Sequence, residues 1–272
     1  MSSNISISQD KLHRLIGLPD CPALVDVRID EDLASDPRRI PGSVLRPFGQ
    51  VAAWGPALAG HRVVAICQKG RKLSHGVAAW LRTLGVRATV LEGGTEGWGA
   101  AGLPMVSAAA IPERDERGRT VWVTRARPKI DRIACPWLIR RFVDPSAVFL
   151  YVAPSEVAAI AERFAATPFD VEGAFWSHCG ELCSFDVMLR EFGLATAALD
   201  RLAGIVRGAD TGRLDLAPEA AGLLAACLGL SRMHDDDLAQ LDAGLAVFDA
   251  LYRWSRDAVD ETHGWPAPAA GA

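Results

Sequence analysis

The chain has 272 residues and a mass of 29.1 kDa, a length typical of two domains or of one large domain. Half of its residues are hydrophobic and 23% are charged, with a mean hydropathy of +0.13, a balance that excludes intrinsic disorder. Its apolar runs are shorter than the ~18 residues that cross a bilayer, so no transmembrane helix and no membrane partner is expected. Because the amino-terminal residues also lack the pattern of a secretory signal, we expect a cytoplasmic protein.

Charge is distributed unevenly along the chain. Residues 114–141 carry nine basic and three acidic side chains, whereas residues 142–272 carry eight basic and 20 acidic ones. This basic strip (114–141) could receive an oxyanion or a nucleic-acid phosphate, or it could be neutralised by the acidic region that follows. A pI of 5.9 and the lack of a recognisable helix-turn-helix motif disfavour a nucleic-acid partner.

In the first third, short β-branched runs alternate with helical spacing. Residues 23–28, 62–67 and 87–91 read as strands, and apolar positions within 74–84 repeat at helical intervals. Strand, helix and strand in this order predict a βαβ crossover and therefore a parallel sheet. The predicted divisions are an α/β domain over 1–106, a linker over 107–119, a mainly α-helical domain over 120–265 and a disordered tail over 266–272.

The second half contains two strand-like runs, at 120–124 and 148–152, and is otherwise helical in pattern. Helix start signals include a capping Ser184, a proline at 218 and acidic residues at 235–237. The predicted helices cover 136–143, 155–166, 184–192, 196–208, 218–229 and 236–256.

Cys67 lies at the junction between a predicted strand and the helix that follows it. The intervening loop contains Gln68, Lys69, Gly70, Arg71 and Lys72. A loop that folds back onto a helix amino terminus points backbone N–H groups inward, and these donors stabilise a thiolate, a persulfide or an oxyanion. Since the three cations add to the same field, the loop predicts a nucleophilic cysteine.

Four motifs in register carry a family resemblance over residues 20–104. They are Leu24-Val-Asp26-Val-Arg28, Ile40-Pro-Gly-Ser43, Cys67-x-x-Gly70-x-Lys72, and Leu91-x-Gly-Gly94 followed by Trp98 and Gly102-Leu-Pro104. This segment resembles a single rhodanese domain. The resemblance implies a sulfurtransferase in which Cys67 accepts sulfur from thiosulfate or a persulfide, and passes it to a thiol or to cyanide, with no cofactor. The six-residue loop is similar to that of sulfur-transferring members, since related phosphatases use a loop one residue longer.

Two positions depart from the family pattern. The loop ends in Lys72, where the family often has arginine, and Arg38-Arg39 stands where Gly-His often precedes Ile-Pro-Gly. Because lysine is a point charge and not a bidentate fork, donor preference can differ while the nucleophile is kept. We interpret Asp26 and Arg28 as a buried ion pair that supports the loop, not as catalytic groups.

The basic strip contains a second group of candidate site residues. Arg127, Lys129, Asp131, Arg132 and Cys135 precede Pro136, a residue suited to a first helical turn. This spacing predicts that Cys135 caps a helix amino terminus near cations, an arrangement that favours a thiolate or an oxyanion pocket.

A turn near residue 180 is rich in residue types that bind metals. Its tentative ligands are His178, Glu181, Cys183 and Asp186, with Asp210 as a remote partner, and zinc and iron are the candidate ions. The spacing matches no standard zinc motif, so a capped turn with packed cysteines is the alternative.

Long motifs relate residues 120–265 to a second family. The segments are Trp122-Val-Thr-Arg125, the run from Arg127 to Phe142, Cys183-Ser-Phe-Asp186, Val206-Arg-Gly-Ala-Asp-Thr211 and Leu214-Asp-Leu-Ala-Pro218. They resemble the chromate-resistance ChrB family, which implies a role in chromate resistance or sensing and chromate or another oxyanion as a ligand. The main hypothesis is therefore a sulfurtransferase fused to a chromate-associated domain. The alternatives are an oxyanion-responsive regulator and a metal-dependent redox protein.

Overall fold

The computed structural model describes residues 5–261, so the tail predicted at 266–272 lies outside the described residues. The first domain is built on a five-stranded parallel sheet with strand order β1-β5-β4-β2-β3. The strands are β1 (Ser6–Ile7), β2 (Ala23–Asp26), β3 (Ser43–Leu45), β4 (Arg62–Ile66) and β5 (Arg87–Leu91).

Helices cover both faces of this sheet, which confirms the predicted α/β fold of the first domain. They are α1 (Gln9–His13), α2 (Asp30–Ser35), α3 (Val51–Trp54), α4 (Lys72–Thr83) and α5 (Gly94–Ala100). Successive strand residues point to opposite faces, so Val64 and Ile66 pack on one side, and Val63, Ala65 and Cys67 pack on the other with α4. The β4–α4–β5 unit is the predicted crossover, and it places Cys67 between the end of β4 and the start of α4.

The second domain is mainly helical, as the sequence predicts. Its parallel sheet has the order β7-β6-β8, with β6 (Val121–Arg125), β7 (Val148–Val152) and β8 (Thr167–Pro168). The helices are α6 (Ile130–Leu138), α7 (Val157–Phe164), α8 (Ser184–Phe192), α9 (Ala197–Asp210), α10 (Ala220–Met233) and α11 (Asp237–Asp257). Among residues 5–261, no helix is both long enough and apolar enough to cross a bilayer.

The helix predicted over 136–143 begins six residues earlier than expected. Pro136 lies inside α6, and a one-turn π-helix over Ile139–Val143 continues it. A proline removes the hydrogen bond to the carbonyl four residues before it, which here belongs to Arg132. The Tyr151 hydroxyl donates to that carbonyl at 2.8 Å. The unpaired acceptor is therefore satisfied by a side chain from β7, and Pro136 gives no start signal.

One predicted cap and one predicted helix start differ from the structure by one residue. The residue that caps α8 is Cys183 and not Ser184, and the Cys183 N–H donates to the Asp186 carboxylate at 3.0 Å. At α11 the carboxylate of Asp236 accepts from the Ala239 N–H at 2.7 Å, so the acidic run supplies the cap as well as charge.

One apolar cluster extends from the first domain into the second. It joins Leu24, Ile66 and Trp98 to Trp137 and Phe192. The segment predicted as a linker, 107–119, is attached to the second domain: the Ser107 N–H donates to the Phe192 carbonyl at 3.1 Å, and Arg114 pairs with buried Asp144 at 3.1 Å. Its lack of periodicity therefore reflects irregular packed backbone.

Candidate functional site

The Cys67 sulfur lies at the carboxyl end of β4, where the chain turns into α4. Its Sγ accepts the Arg71 backbone N–H at 3.3 Å and lies 3.1 Å from the Ser74 Oγ. The Ser74 hydroxyl can also donate to the Arg71 carbonyl, at 3.1 Å. Rotation of this hydroxyl would direct its hydrogen to Sγ and give the sulfur a second donor. The positive end of α4 adds to this stabilisation of an anion.

The back of the loop packs directly against the start of α5. The Thr95 and Glu96 N–H groups donate to the carbonyls of Cys67 and Gln68, at 3.0 and 2.9 Å. Gly70 and Gly94 both have positive φ, and a Cβ on Gly70 would lie 2.8 Å from the Gly94 nitrogen. This close approach of two backbones fixes the path of the loop around the sulfur.

The predicted loop residues occupy different environments. Lys69, Arg71 and Lys72 have exposed side chains, and Lys69 lies 4.0 Å from Glu96. Gln68 is half-buried, and its Oε1 is buried without a hydrogen-bond partner among the described residues. The Cys67 side chain is itself only 5% exposed. The loop therefore holds Sγ beneath the surface and carries its cations on the rim.

Asp26 and Arg28 form a buried bidentate ion pair beside this loop. The Arg28 Nη2 lies 2.8 Å from the Asp26 Oδ2, and its Nε lies 3.0 Å from the same oxygen. Arg28 also donates to the carbonyls of Asp36 and Arg38, at 2.8 Å each. Since Asp26 is paired with Ile66 across β2 and β4, the ion pair fixes the strand end that precedes Cys67.

In the second domain, three aspartates surround one imidazole. The His178 Nε2 lies 3.1 Å from Asp210 Oδ2 and 3.5 Å from oxygens of both Asp131 and Asp170. Ligand atoms of Asp131, Asp170 and His178 all lie within 4.8 Å of one another. We call these four residues the carboxylate–imidazole cluster. Two of them, His178 and Asp210, are among the predicted ligands.

The other predicted ligands have partners elsewhere. Glu181 is exposed and lies 3.6 Å from Arg213. Asp186 pairs with Arg207 at 3.1 Å and also caps α8. Cys183 caps the same helix, and burial raises the pKa of its thiol. The proposed set of His178, Glu181, Cys183, Asp186 and Asp210 is therefore not assembled around a single ion. Glu181 and Asp186 pair with arginines outside the cluster, and the buried Cys183 thiol contacts Asp131.

The predicted oxyanion pocket around Cys135 is also not assembled. Cys135 is fully buried in the interior of α6, where burial raises the pKa of its thiol well above the usual range. Arg127 turns toward α10 and α11, donating to the carbonyls of Ser231 and His234, while Lys129 is exposed. Arg132 pairs with Asp170 at 3.2 Å. An internal position for Cys135 removes the helix terminus on which this pocket depended.

Electrostatics in the cluster are dominated by crowding of carboxylates. Burial raises the pKa of Asp131 well above its usual range, and the nearby charges of Asp210 and Asp170 raise it further. Burial and Asp170 also raise the pKa of Asp210, against an opposing effect of His178. Arg125 and Arg132 each form an ion pair with the Oδ2 of Asp170, at 3.2 Å. Both pKa shifts favour the neutral form of the Asp131 and Asp210 carboxyl groups over the charged form.

Two family models match separate parts of the chain. The family model "Rhodanese-like domain" matches residues 8–101, and the family model "ChrB, C-terminal domain" matches residues 122–255. The chain joins a rhodanese-like domain to a ChrB C-terminal domain. Protein ChrB from Cupriavidus metallidurans is 39% identical over 155 residues, which are 56% of this chain and 46% of that protein. The chain thus spans about half the length of the curated relative that it matches.

Several solved structures are similar to about a third of this chain. A rhodanese-related protein from Thermoplasma volcanium is 24% identical with a TM-score of 0.33, covering 37% of this chain and 96% of that one. A rhodanese-like domain protein from Staphylococcus aureus is 29% identical with a TM-score of 0.30, covering 34% and 89%. Thiosulfate sulfurtransferase from Pseudomonas aeruginosa is 28% identical with a TM-score of 0.32, covering 37% and 19%.

Sequence reasoning missed one polar residue in each domain. In the rhodanese-like domain, Ser74 lies on the first turn of α4 and contacts the Cys67 sulfur. The one sequence feature that could have indicated this contact is the spacing of seven residues between Cys67 and Ser74. In the ChrB domain, Asp170 follows β8, a strand of two residues that leaves no pattern. Asp170 has a positive φ of 51°, a conformation that aspartate adopts more readily than most residues.

Replacing Gly94 with alanine should disrupt the Cys67 loop. The new Cβ would lie 2.7 Å from the Gln68 carbonyl and would also collide with the Cys67 carbonyl and the Gly70 nitrogen. We expect the sulfur transfer that the rhodanese resemblance implies to fall by ~10²-fold in this variant, since misplacement of a reacting group by about 1 Å has effects of this size. Activity and chemical denaturation should be measured together.

The matched control is Gly85→Ala. Gly85 has a similar positive φ, but nothing lies within 4 Å of the position that a Cβ would occupy there. The free energy of unfolding of this variant should fall by only about 1–2 kcal/mol, the cost of an alanine in the left-handed conformation. That of Gly94→Ala should fall by about 1–3 kcal/mol more, because the added Cβ overpacks the loop. Equal stability and equal activity in the two variants would contradict the close packing behind the loop.

Proposed function

We propose that the rhodanese-like domain transfers sulfur through a persulfide on Cys67. The observation that carries this proposal is the Cys67 sulfur itself, which receives an amide hydrogen bond at the junction of β4 and α4. A strand-to-helix turn of this kind favours the anionic form of a group at its centre. Because a reduced thiol is required, we place this chemistry in the cytoplasm.

The transfer proceeds in two displacements. The Cys67 thiolate attacks the outer sulfur of thiosulfate, a bond forms between Sγ and that sulfur, and the sulfur–sulfur bond of thiosulfate breaks with its electron pair leaving on sulfite. An acceptor such as cyanide or a thiolate then attacks the terminal sulfur of the persulfide. Thiocyanate or a new persulfide leaves, and the Cys67 thiolate is restored with no net oxidation and no cofactor.

Each loop group has a defined part in this scheme. The Arg71 amide and the Ser74 hydroxyl stabilise negative charge on Sγ, which develops again when the acceptor removes the outer sulfur. Lys69, Arg71 and Lys72 lie at the rim and attract an anionic donor. Asp26 and Arg28 hold the end of β2 next to the loop and touch no reactant.

A regulatory function based on the basic strip has less support. Most of its arginines are paired with carboxylates of the same chain, which lowers the positive potential left for an oxyanion or a phosphate. The pairs are Arg114 with Asp144, Arg119 with Asp115, Arg125 and Arg132 with Asp170, Arg140 with Asp242 and Arg141 with Asp249.

From its ChrB domain we propose that the chain acts in chromate resistance.

Turnover with thiosulfate and cyanide tests the proposed reaction. The reduced full-length protein should form thiocyanate in proportion to its concentration, well above the rate without protein. A persulfide donor such as glutathione persulfide should also support turnover. Thiocyanate formation at the background rate with both donors would contradict the proposal.

A further inference from the structure

We infer that the carboxylate–imidazole cluster of the ChrB domain binds one divalent first-row metal ion. The ligands are the carboxylates of Asp131, Asp170 and Asp210 and the Nε2 of His178. Three of these residues come from separate elements, since Asp131 is on α6, Asp170 follows β8 and Asp210 ends α9. This inference concerns a different domain from the one that contains Cys67. Its test is therefore independent of the test of sulfur transfer.

The distances from His178 to the three carboxylates match the edges of a metal coordination shell. For a metal–ligand bond of about 2.1 Å, neighbouring ligands lie about 3.0 Å apart in an octahedron and about 3.4 Å apart in a tetrahedron. The Nε2 of His178 lies 3.1 Å from Asp210 and 3.5 Å from Asp131 and Asp170. Ligand atoms of Asp131, Asp170 and His178 lie within 4.8 Å of one another, so these three side chains would close on an ion by a small inward movement, with Asp210 next to His178.

A buried carboxylate oxygen without a partner points to a missing cation. Asp131 is 0% exposed, and no N–H or O–H group among the described residues donates to its Oδ1, although its carboxyl group also lies against the Cys183 thiol. Its other oxygen, Oδ2, is the one that lies 3.5 Å from the His178 Nε2, and it accepts the Ser184 N–H at 2.6 Å. Burial of an ionised carboxylate requires a counter-charge or a full set of hydrogen bonds. A metal ion would supply that charge where the protein supplies no guanidinium.

Residues around the cluster hold the ligands in place. The Ser184 Oγ donates to Asp170 Oδ1 at 2.9 Å, and the Asp131 N–H donates to Asp210 Oδ1 at 3.4 Å. Arg125 and Arg132 form ion pairs with the other carboxylate oxygen of Asp170, Oδ2. Outer hydrogen bonds of this kind orient ligands in metal sites. They also direct specific oxygens of Asp170 and Asp210 toward fixed partners.

The ligand set favours particular metals. Three carboxylates and one imidazole suit Mn²⁺ and Fe²⁺, whereas the thiolate-rich sites typical of structural zinc are absent from this set. His178 is 41% exposed. Its side of the cluster therefore faces solvent, so that water or a small ligand could complete the coordination of the ion.

The alternative is a protonated His178 that pairs directly with the carboxylates. If all three aspartates are ionised, they leave one excess negative charge beside the two arginines, which an imidazolium could also balance. The two arrangements differ in one measurable respect, because only the first has affinity for a metal.

Mn²⁺ titration of the full-length protein separates the two arrangements. After treatment with a chelator and its removal, free Mn²⁺ is measured by electron paramagnetic resonance. We expect one ion bound per chain and an increase in the melting temperature. Asp131→Asn and His178→Gln should each weaken binding by at least about 10-fold, the scale on which metal sites respond to changed ligands and their supports.

Two further variants make the result decisive. Glu181→Gln lies on the same turn as His178 but pairs outside the cluster, so it should bind Mn²⁺ like the wild type. Asp210→Asn changes a ligand that is partly exposed, and it provides a test if Asp131→Asn fails to fold. No stoichiometric binding by the folded wild type, or equal binding by the ligand variants and the Glu181→Gln control, would overturn the inference.

Discussion

Replacing Cys67 with serine should abolish sulfur transfer, with thiocyanate formation falling by at least about 10³-fold, as expected for loss of a nucleophile. Serine keeps the size of the side chain and can accept the same Arg71 hydrogen bond, so the fold should remain. Its hydroxyl cannot form a persulfide. Steady-state turnover with thiosulfate and cyanide gives the measurement, and circular dichroism checks the fold.

Cys179→Ser is the control for this substitution. Cys179 is an exposed, free cysteine in the ChrB domain, so it is the more accessible thiol of the two. We expect its replacement to leave turnover unchanged. Undiminished turnover in Cys67→Ser, or an equal loss in Cys179→Ser, would show that sulfur travels by another route.

Asp26→Ala should cause a large loss of stability, lowering the free energy of unfolding by about 3–5 kcal/mol, the cost of removing one partner from a buried ion pair. Arg28 would remain buried, with two of its hydrogen-bond acceptors being backbone carbonyls that cannot neutralise its charge. Urea denaturation measures this loss. Turnover per folded molecule at low temperature should fall far less than in Cys67→Ser, because Asp26 positions the loop and does not react.

A second ion pair with the same spacing provides the control. Asp36 and Arg38 also pair at 2.8 Å across two residues, but the Arg38 side chain is 57% exposed. Exposed pairs contribute about 0–1 kcal/mol, so Asp36→Ala should change stability by no more than that. A similar loss in both variants would contradict the difference that burial is expected to make.

Much of the first domain could be predicted because its signals are local. The β-branched runs and the helical spacing over 74–84 identify the crossover, and they place Cys67 at a strand end. The two-residue strand β1 was missed, since Ser6 and Ile7 form a strand only through pairing with β5. Ser74 was missed for a related reason, because its contact with Sγ depends on the turn geometry and not on residue type.

The second domain shows where local reasoning fails. Pro136 reads as a helix start, yet a tyrosine on another element replaces the lost hydrogen bond and lets α6 continue through it. The carboxylate–imidazole cluster draws residues from positions 131, 170, 178 and 210. No spacing rule joins residues so far apart in the chain. Residue chemistry could therefore suggest His178 and Asp210, but it could not show that Asp131 and Asp170 lie beside them.

Mass spectrometry of the thiosulfate-treated protein tests the central claim most directly. The reduced full-length chain is exposed to thiosulfate, freed of excess reagent and digested, and each cysteine peptide is weighed. We predict the gain of a single sulfur atom on the peptide that contains Cys67, and its loss on addition of cyanide. An unmodified Cys67, or sulfur spread equally over other cysteines such as Cys179, would contradict a persulfide carried at the β4–α4 junction.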